Sequence, residues 1–313
     1  MTLILLTGAG FSRNWGGWLA SEAFEYILGR SEVGENLRKL LWTDLAKGRG
    51  FEDTLAGLQQ RHKQGGDEAA GVMVQEFTLA LVAMFNEMNA GLSRSSFEWQ
   101  NESRWMVGTF LTRFDYIFTL NQDILLECHY LVQGRPYGRF DSAHTPGLKL
   151  RNPSSFSVQP KDAKWTPDLT KLKIEPRQQP YIKLHGSSNW LRDGSEPRVM
   201  VLGGSKSVEI DQDPLLSWYQ KEFSAALHRE GAKLMTIGYS FGDKHINEII
   251  GNAAEQGELK IFVVDLAGVH VVLKSSHARS LTSHIRGASR RPLSSTFRDD
   301  RVEHDKISAF LSN

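Results

Sequence analysis

Five short polar segments hold the groups in this chain that could do chemistry, and each follows directly on an apolar, β-rich run. They are Gly8-Ala9-Gly10-Phe11-Ser12, Thr119-Leu120-Asn121-Gln122-Asp123, His185-Gly186-Ser187, Gly238-Tyr239-Ser240 and Asp265. His185 is a candidate general base, because an imidazole titrates near neutral pH. Asn121 does not titrate usefully, but its amide both donates and accepts, which suits it to orienting a sugar hydroxyl or an attacking water. Asp123 can buttress Asn121 or hold one end of a ligand. Gly8 and Gly10 permit a tight turn and close approach of backbone to a phosphate, with the positive end of the next helix facing the same spot. Gly238 and Ser240 can approach phosphates or ribose from the opposite side. An acid at a strand end, such as Asp265, accepts from ribose hydroxyls in many nucleotide sites. The set is that of a nucleotide diphosphate cradle with a base beside it.

Each residue also has a plainer reading. Gly8, Gly10 and Gly16-Gly17 do not form the G-x-G-x-x-G fingerprint. Asn121 could cap the following helix, with Asp123 in its first turn, and Asp243 is read as the N-cap of its own helix. Asn247 is read as a helix-face residue. Trp15 and Trp18 could shield a ligand or anchor a core. Arg286, Arg290 and Arg291 are read as a solvated face or contact patch, and Cys128 as an inert core thiol.

The elements that must position these groups alternate. Strands are expected at residues 2–7, 115–120, 180–184, 198–202, 233–237 and 259–265, and helices at about 20–28, 124–130, 214–228, 244–254 and 302–311. Between the first two strands, residues 33–113 show only helical spacing, as in Leu37, Leu40, Leu41 and Leu45. The reading is an α/β, Rossmann-like parallel sheet with helices on both faces. Its core spans 1–32 and 114–270, with an irregular lobe at 133–179 that holds one hairpin at most. A large helical insertion covers 33–113, and a basic tail with a final helix covers 271–313. In such sheets ligands bind beyond the carboxyl ends of the strands, so five strand-end segments would share one crevice.

The 313 residues carry 37 Lys and Arg against 36 Asp and Glu, a net charge of +1, which gives no electrostatic reason to expect nucleic acid or membrane as the main ligand. Apolar runs stay short of the ~20 residues of a membrane span, and no secretory leader is visible. One cysteine, Cys128, can form neither an internal disulfide nor a four-cysteine zinc site. A cytoplasmic protein is expected.

Taken together and in order, these segments resemble the sirtuin-like NAD-binding superfamily over about residues 2–265. Gly8-Ala9-Gly10-Phe11-Ser12 is similar to its opening G-A-G-x-S. Thr119-x-Asn121-x-Asp123 is similar to T-x-N-x-D, and Lys183-Leu184-His185-Gly186-Ser187 to the strand that delivers the active-site histidine. Gly238-Tyr239-Ser240-Phe241-Gly242-Asp243, with His245-Ile246-Asn247 behind it, looks like the G-Y-S-x-x-D variant of prokaryotic sirtuin-like defence proteins. The chain departs from deacetylase sirtuins in lacking their four-cysteine zinc module and in its helical insertion.

The resemblance implies an NAD glycohydrolase effector of bacterial anti-phage defence, which cleaves NAD to nicotinamide and ADP-ribose. Asn121 and His185 would be catalytic. Gly8, Ala9, Gly10, Phe11, Ser12, Asp123, Gly238, Ser240 and Asp265 would bind NAD, and no metal would take part. It also implies an oligomer and a separately encoded sensor or assembly partner, of HerA-like ATPase, short Argonaute or nucleotide-pyrophosphatase-like type. An NAD-dependent protein deacylase, or a non-enzymatic module that binds NAD or ADP-ribose, stay open as alternatives.

Overall fold

The computed structural model describes residues 1–131, 138–151, 161–192, 198–202 and 206–312. The strands are β1 (Leu3–Thr7), β2 (Tyr116–Thr119), β3 (Ser142–His144), β4 (Leu148–Leu150), β5 (Trp165–Pro167), β6 (Gln178–Lys183), β7 (Gly186–Leu191), β8 (Arg198–Met200), β9 (Lys233–Ile237), β10 (Lys260–Val264) and β11 (Ile285–Ser289). Seven of them form a sheet in the order β11-β10-β9-β1-β2-β6-β3, with parallel pairing throughout. β1 shows why the apolar run is continuous. Leu3 and Leu5 pack into one hydrophobic cluster and Ile4 and Leu6 into the other, so both faces are covered. From β1 the chain builds outward to β2 and β6, then returns to the other side of β1 with β9, β10 and β11. The order therefore reverses between β1 and β9, the place where open α/β sheets hold their ligands.

The helices are α1 (Ala9–Ser12), α2 (Ala20–Leu28), α3 (Glu35–Ala46), α4 (Phe51–Gly65), α5 (Glu68–Leu92), α6 (Val107–Leu111), α7 (Leu125–His129), α8 (Lys206–Gln212), α9 (Pro214–Leu227), α10 (Lys244–Gln256), α11 (His270–Lys274), α12 (Leu293–Thr296) and α13 (Arg301–Ser312). Residues 33–113 contain helices and no strand. At 25 residues, α5 has the length and apolar content of a membrane span, more than the sequence reading allowed. Its stripe of Phe77, Ala80, Leu81, Met84, Phe85 and Met88 packs into the core.

Two expectations are corrected. The lobe at 133–179 is more ordered than loops with one hairpin: β3 joins the edge of the main sheet, and β4 and β5 enter a second, four-stranded sheet with β7 and β8. Residues 132–137 and 152–160 of that lobe lie outside the described residues. The segment 271–313 is not an appended tail. β11 extends the sheet beside β10, and α13 buries Ile307 and Leu311 in the core.

Candidate active site

All five strand-end segments meet at one cavity of about 760 Å³ above the carboxyl ends of β1, β2, β6, β9 and β10. Gly8, Ala9, Gly10, Asn121, Asp123, His185, Gly238, Ser240 and Asp265 line it. Phe11 and Ser12 do not. Phe11 is 1% exposed and packs against Trp15 in the core, because the first turn of α1 directs it inward. Ser12 lies behind the wall, where its Oγ accepts from Asn121 Nδ2 at 2.9 Å.

The glycine turn works differently from a phosphate cradle. Gly8 N–H donates to the Ile237 carbonyl and Gly10 N–H to the Gly238 carbonyl, both at 3.0 Å. These two donors therefore hold the β1 and β9 turns together. A Cβ on Gly8 would lie 2.6 Å from Gly238 O, and one on Gly10 2.7 Å from Gly238 Cα. Gly238 has φ +62°, and a Cβ there would meet Gly10 C and Phe11 N at 2.3 Å. Gly238→Ala is expected to lose at least the ~1–3 kcal/mol of left-handed strain, with the clash added. A urea titration checks it, and an unchanged midpoint would refute this packing role.

The turn after β2 is fixed from three sides. Asn121 N–H donates to Thr119 Oγ1 at 3.0 Å, and its Nδ2 reaches Ser12, so its acceptor oxygen and second amide proton remain for a ligand. Asp123 is 7% exposed, and its Oδ1 accepts from Leu125 N at 3.0 Å, which ties it to the start of α7 while it lines the cavity. Beneath it, fully buried Lys183 donates to the Asp123 carbonyl and to Glu127 Oε1, the latter at 2.7 Å. From α5, Asn89 donates to Ser188 Oγ at 2.9 Å and accepts from Ile124 N at 3.1 Å. Nothing in the helical spacing of α5 marks Asn89 as different from its neighbours. Only its polarity within an apolar run could have drawn attention to it.

His185 sits in the two-residue step between β6 and β7, where the chain leaves one sheet for the other. Gly186 makes the bend at φ +74°, and a Cβ there would lie 2.1 Å from Val199 O. His185 is 3% exposed, and burial pushes its imidazole down to about 3, well below the near-neutral range expected of it from sequence, so its place beside Asn121 and not its free titration marks it as the candidate base. Its Nε2 is 3.1 Å from His245 Nε2. Asp243 occupies the N-cap position of α10, yet its side chain makes no capping bond. It pairs instead with Lys206 at 3.0 Å, and Lys206 also pairs with Glu52 at 2.7 Å. Burial opposes the charge on Asp243, but His185 and Lys206 hold its carboxyl below the ordinary value. The ligand atoms of His185, Asp243 and His245 lie within 4.8 Å of one another, a donor set that suits a divalent transition ion. The expectation of a metal-free site did not anticipate it, and Lys206 on the same carboxylate opposes a cation there. Asn247, read as a helix-face residue, is 1% exposed. It accepts from Tyr239 O–H at 2.9 Å and donates to the Phe241 carbonyl at 2.8 Å, which secures the turn after β9.

The end of the cavity at Asp265 is closed by the segment read as a solvated tail. Arg291, Pro292, Leu293 and Ser294 line the cavity with Asp265. Asn14 ties them to the first turn: it donates to the Gly10 carbonyl at 3.0 Å and accepts from Leu293 N at 2.9 Å. Arg13, paired with Glu22 at 3.0 Å, and Arg291, paired with Asp300 at 3.4 Å, bring guanidinium groups to this wall, donors of the kind that serve phosphates where the glycine N–H groups do not. Trp15 is a core residue stacked on Phe97 and Trp99, whereas Trp18 lines the cavity. Burial pushes the Cys128 thiol up to about 12, so it carries no thiolate at neutral pH.

A parallel sheet, a cavity at its reversal point, and an asparagine and a histidine at adjacent strand ends define a nucleotide-binding α/β protein. Residues 115–284 match the model of the SIR2-like domain, and the chain belongs to the SIR2-like family. It has the sirtuin-type NAD-binding fold. No curated protein matches the chain. Among solved structures it is similar, at 12% identity, to a crystal structure of Sir2 with the inhibitor EX-527, 2'-O-acetyl-ADP-ribose and deacetylated p53 peptide. That match covers 98% of this chain and 94% of the other, with a TM-score of 0.43.

Proposed function

We propose that this protein is an NAD glycohydrolase that cleaves the nicotinamide–ribose bond with water. The observation that carries this reading is the meeting of Asn121 and buried His185 at one wall of a cavity inside the NAD-binding fold of the family. Cleavage needs a leaving nicotinamide held still while an oxocarbenium-like centre develops, which is a matter of positioning and electrostatics. Asn121 orients the ribose or the attacking water. Water oxygen bonds to the anomeric carbon, the electron pair of the C–N bond leaves with nicotinamide, and the proton of the water passes to His185, directly or through a ribose hydroxyl. The products are nicotinamide, ADP-ribose and one proton.

In its cellular setting we place the protein in the cytoplasm, as an effector of anti-phage defence that works beside a separately encoded partner. Two features support this: the likeness of the Gly238–Asp243 segment to prokaryotic sirtuin-like defence proteins, and a lone cysteine where deacetylases carry a zinc module. Phe51 and Glu52 of α4 and Met84, Phe85 and Met88 of α5 form part of the cavity wall. A partner that shifts these helices would reshape the site, which is a means of gating. The test is chromatography of NAD incubated with the purified chain, with and without the product of the neighbouring gene and phage lysate. Nicotinamide and ADP-ribose in equal amounts are expected. Deacylation of acetyl-lysine peptides with little NAD loss in their absence, or tight NAD binding with no turnover in every condition, would overturn the reading.

A further inference from the structure

Hydrolysis of NAD leaves one proton behind at each turnover, and the group that takes it up is deeply buried. His185 is 3% exposed and faces the cavity, so a dinucleotide in place would close its open side. A base in that position needs a second way to discharge. Among the described residues, His245 is the titratable group in contact with its ring. His245 Nε2 lies 3.1 Å from His185 Nε2, with the rings tilted at 39° and 5.2 Å between centroids. His245 is in the first turn of α10, is only partly buried, and is not among the cavity-lining residues.

We propose that His245 is the proton-exit partner of His185, holding its ring and carrying the released proton to solvent. This rests on the reading of His185 as the base. His185 accepts the proton of the attacking water on one ring nitrogen and passes a proton from Nε2 to His245 Nε2. His245 then releases a proton from Nδ1 to solvent, so one proton leaves and both rings are neutral in exchanged tautomers. Once the products have left, His185 loses the newly gained proton to water in the open cavity. His245 returns its Nε2 proton to His185 Nε2 and takes one from solvent on Nδ1, which restores both tautomers with no net proton moved. The surroundings suit this direction. Asp243, held by Lys206, faces both rings, and Lys206 is itself balanced by Glu52. Glu248 and Asp211, both exposed, face His245 alone and favour a proton on the outer ring. Burial disfavours a resting proton on either ring.

The test compares wild type, His245→Ala, His245→Gln and His185→Ala in steady-state and single-turnover NAD cleavage, across pH and across added imidazole. His245→Ala is expected to slow steady-state turnover by about 10²-fold, the lower range for a lost proton-transfer group, while the first turnover stays close to wild type. Added imidazole should restore the steady-state rate saturably. His245→Gln keeps a hydrogen-bonding group without a titrating ring and should be as slow as the alanine variant. Turnover of His245→Gln at the wild-type rate, or a His245→Ala loss that imidazole does not relieve, would overturn the relay. So would wild-type activity that falls on chelation and returns with zinc, which would make the pair metal ligands. His185→Ala with undiminished cleavage would instead remove the reading of the base. A wild type that releases no nicotinamide in any condition would remove the hydrolase reading and this inference with it.

Discussion

His185→Ala and Asn121→Ala are each expected to lower NAD cleavage by about 10²–10⁴-fold, the range for losing a general base or a positioned hydrogen-bonding group. Neither change should unfold the protein. His185 is buried beside His245, but the main-chain bond from Val201 N to its carbonyl, 3.0 Å long, survives truncation. Asn121 is only partly buried, and the bond from its N–H to Thr119 Oγ1 remains in the alanine variant. Equal denaturation midpoints with lost turnover would locate the chemistry at these two residues. Undiminished turnover in either variant would refute that role. Ser12→Ala tests the geometry from behind. It leaves every cavity-lining side chain in place and removes the 2.9 Å tether of the Asn121 amide. Its loss should be smaller than that of Asn121→Ala and should fall on kcat more than on KM, because it affects orientation and not contact.

Lys183→Met is expected to cost ~3–5 kcal/mol of folding stability, the usual effect of removing one partner of a buried ion pair. Lys183 has no exposed side-chain surface and Glu127 little. Without the ammonium, the Glu127 carboxylate is left buried against the Tyr181 hydroxyl at 3.1 Å, and the Asp123 carbonyl loses its donor. Burial already pushes the Glu127 carboxyl up against the pull of Lys183, so losing the ammonium should push it further toward the protonated form. The double variant Lys183→Met/Glu127→Gln removes the stranded charge and keeps an acceptor for Tyr181. It should recover much of the loss, since neutral replacements of a buried pair are often tolerated. Urea midpoints of the two variants decide this. A single variant as stable as wild type would show that the pair carries no such load.

The parts of this protein that could be read from sequence are those in which local pattern and tertiary role agree. β1 is an apolar run up to Thr7 and β9 is buried along its length because both faces are covered, and their ends are marked by glycines, so strand and turn could be placed together. Asn121 and His185 stood out because polar residues directly after such runs have few structural uses. What could not be read depends on partners distant in the chain. Ile285-Arg286-Gly287-Ala288-Ser289 has the composition of a loop and becomes a strand only because β10 offers it an edge. The amide protons of Gly8 and Gly10 look free for a phosphate until β9 is laid beside them, more than 220 residues later. Asp243 has the sequence of a helix cap, but Lys206 competes for its carboxylate. Asn89 and Asn14 are single amides whose purpose is set by loops 35 and 279 positions away.

The strand order has a consequence for how the protein is made. β1 is made before every other strand described here, yet it lies in the middle of the finished sheet, between β2 and β9. Its register with β9 runs from Leu3–Lys233 to Thr7–Ile237. At ~5–20 residues per second the strand waits about 10–50 s for that neighbour, and the cavity wall at Arg291–Ser294 comes later still. No nascent chain short of that wall contains a finished cavity. If the enzyme consumes the NAD of the cell that makes it, translation itself keeps every partial product harmless. The same delay leaves the β9 edge of β1 open long after β2 can cover the other edge, and an open apolar edge calls for chaperone cover.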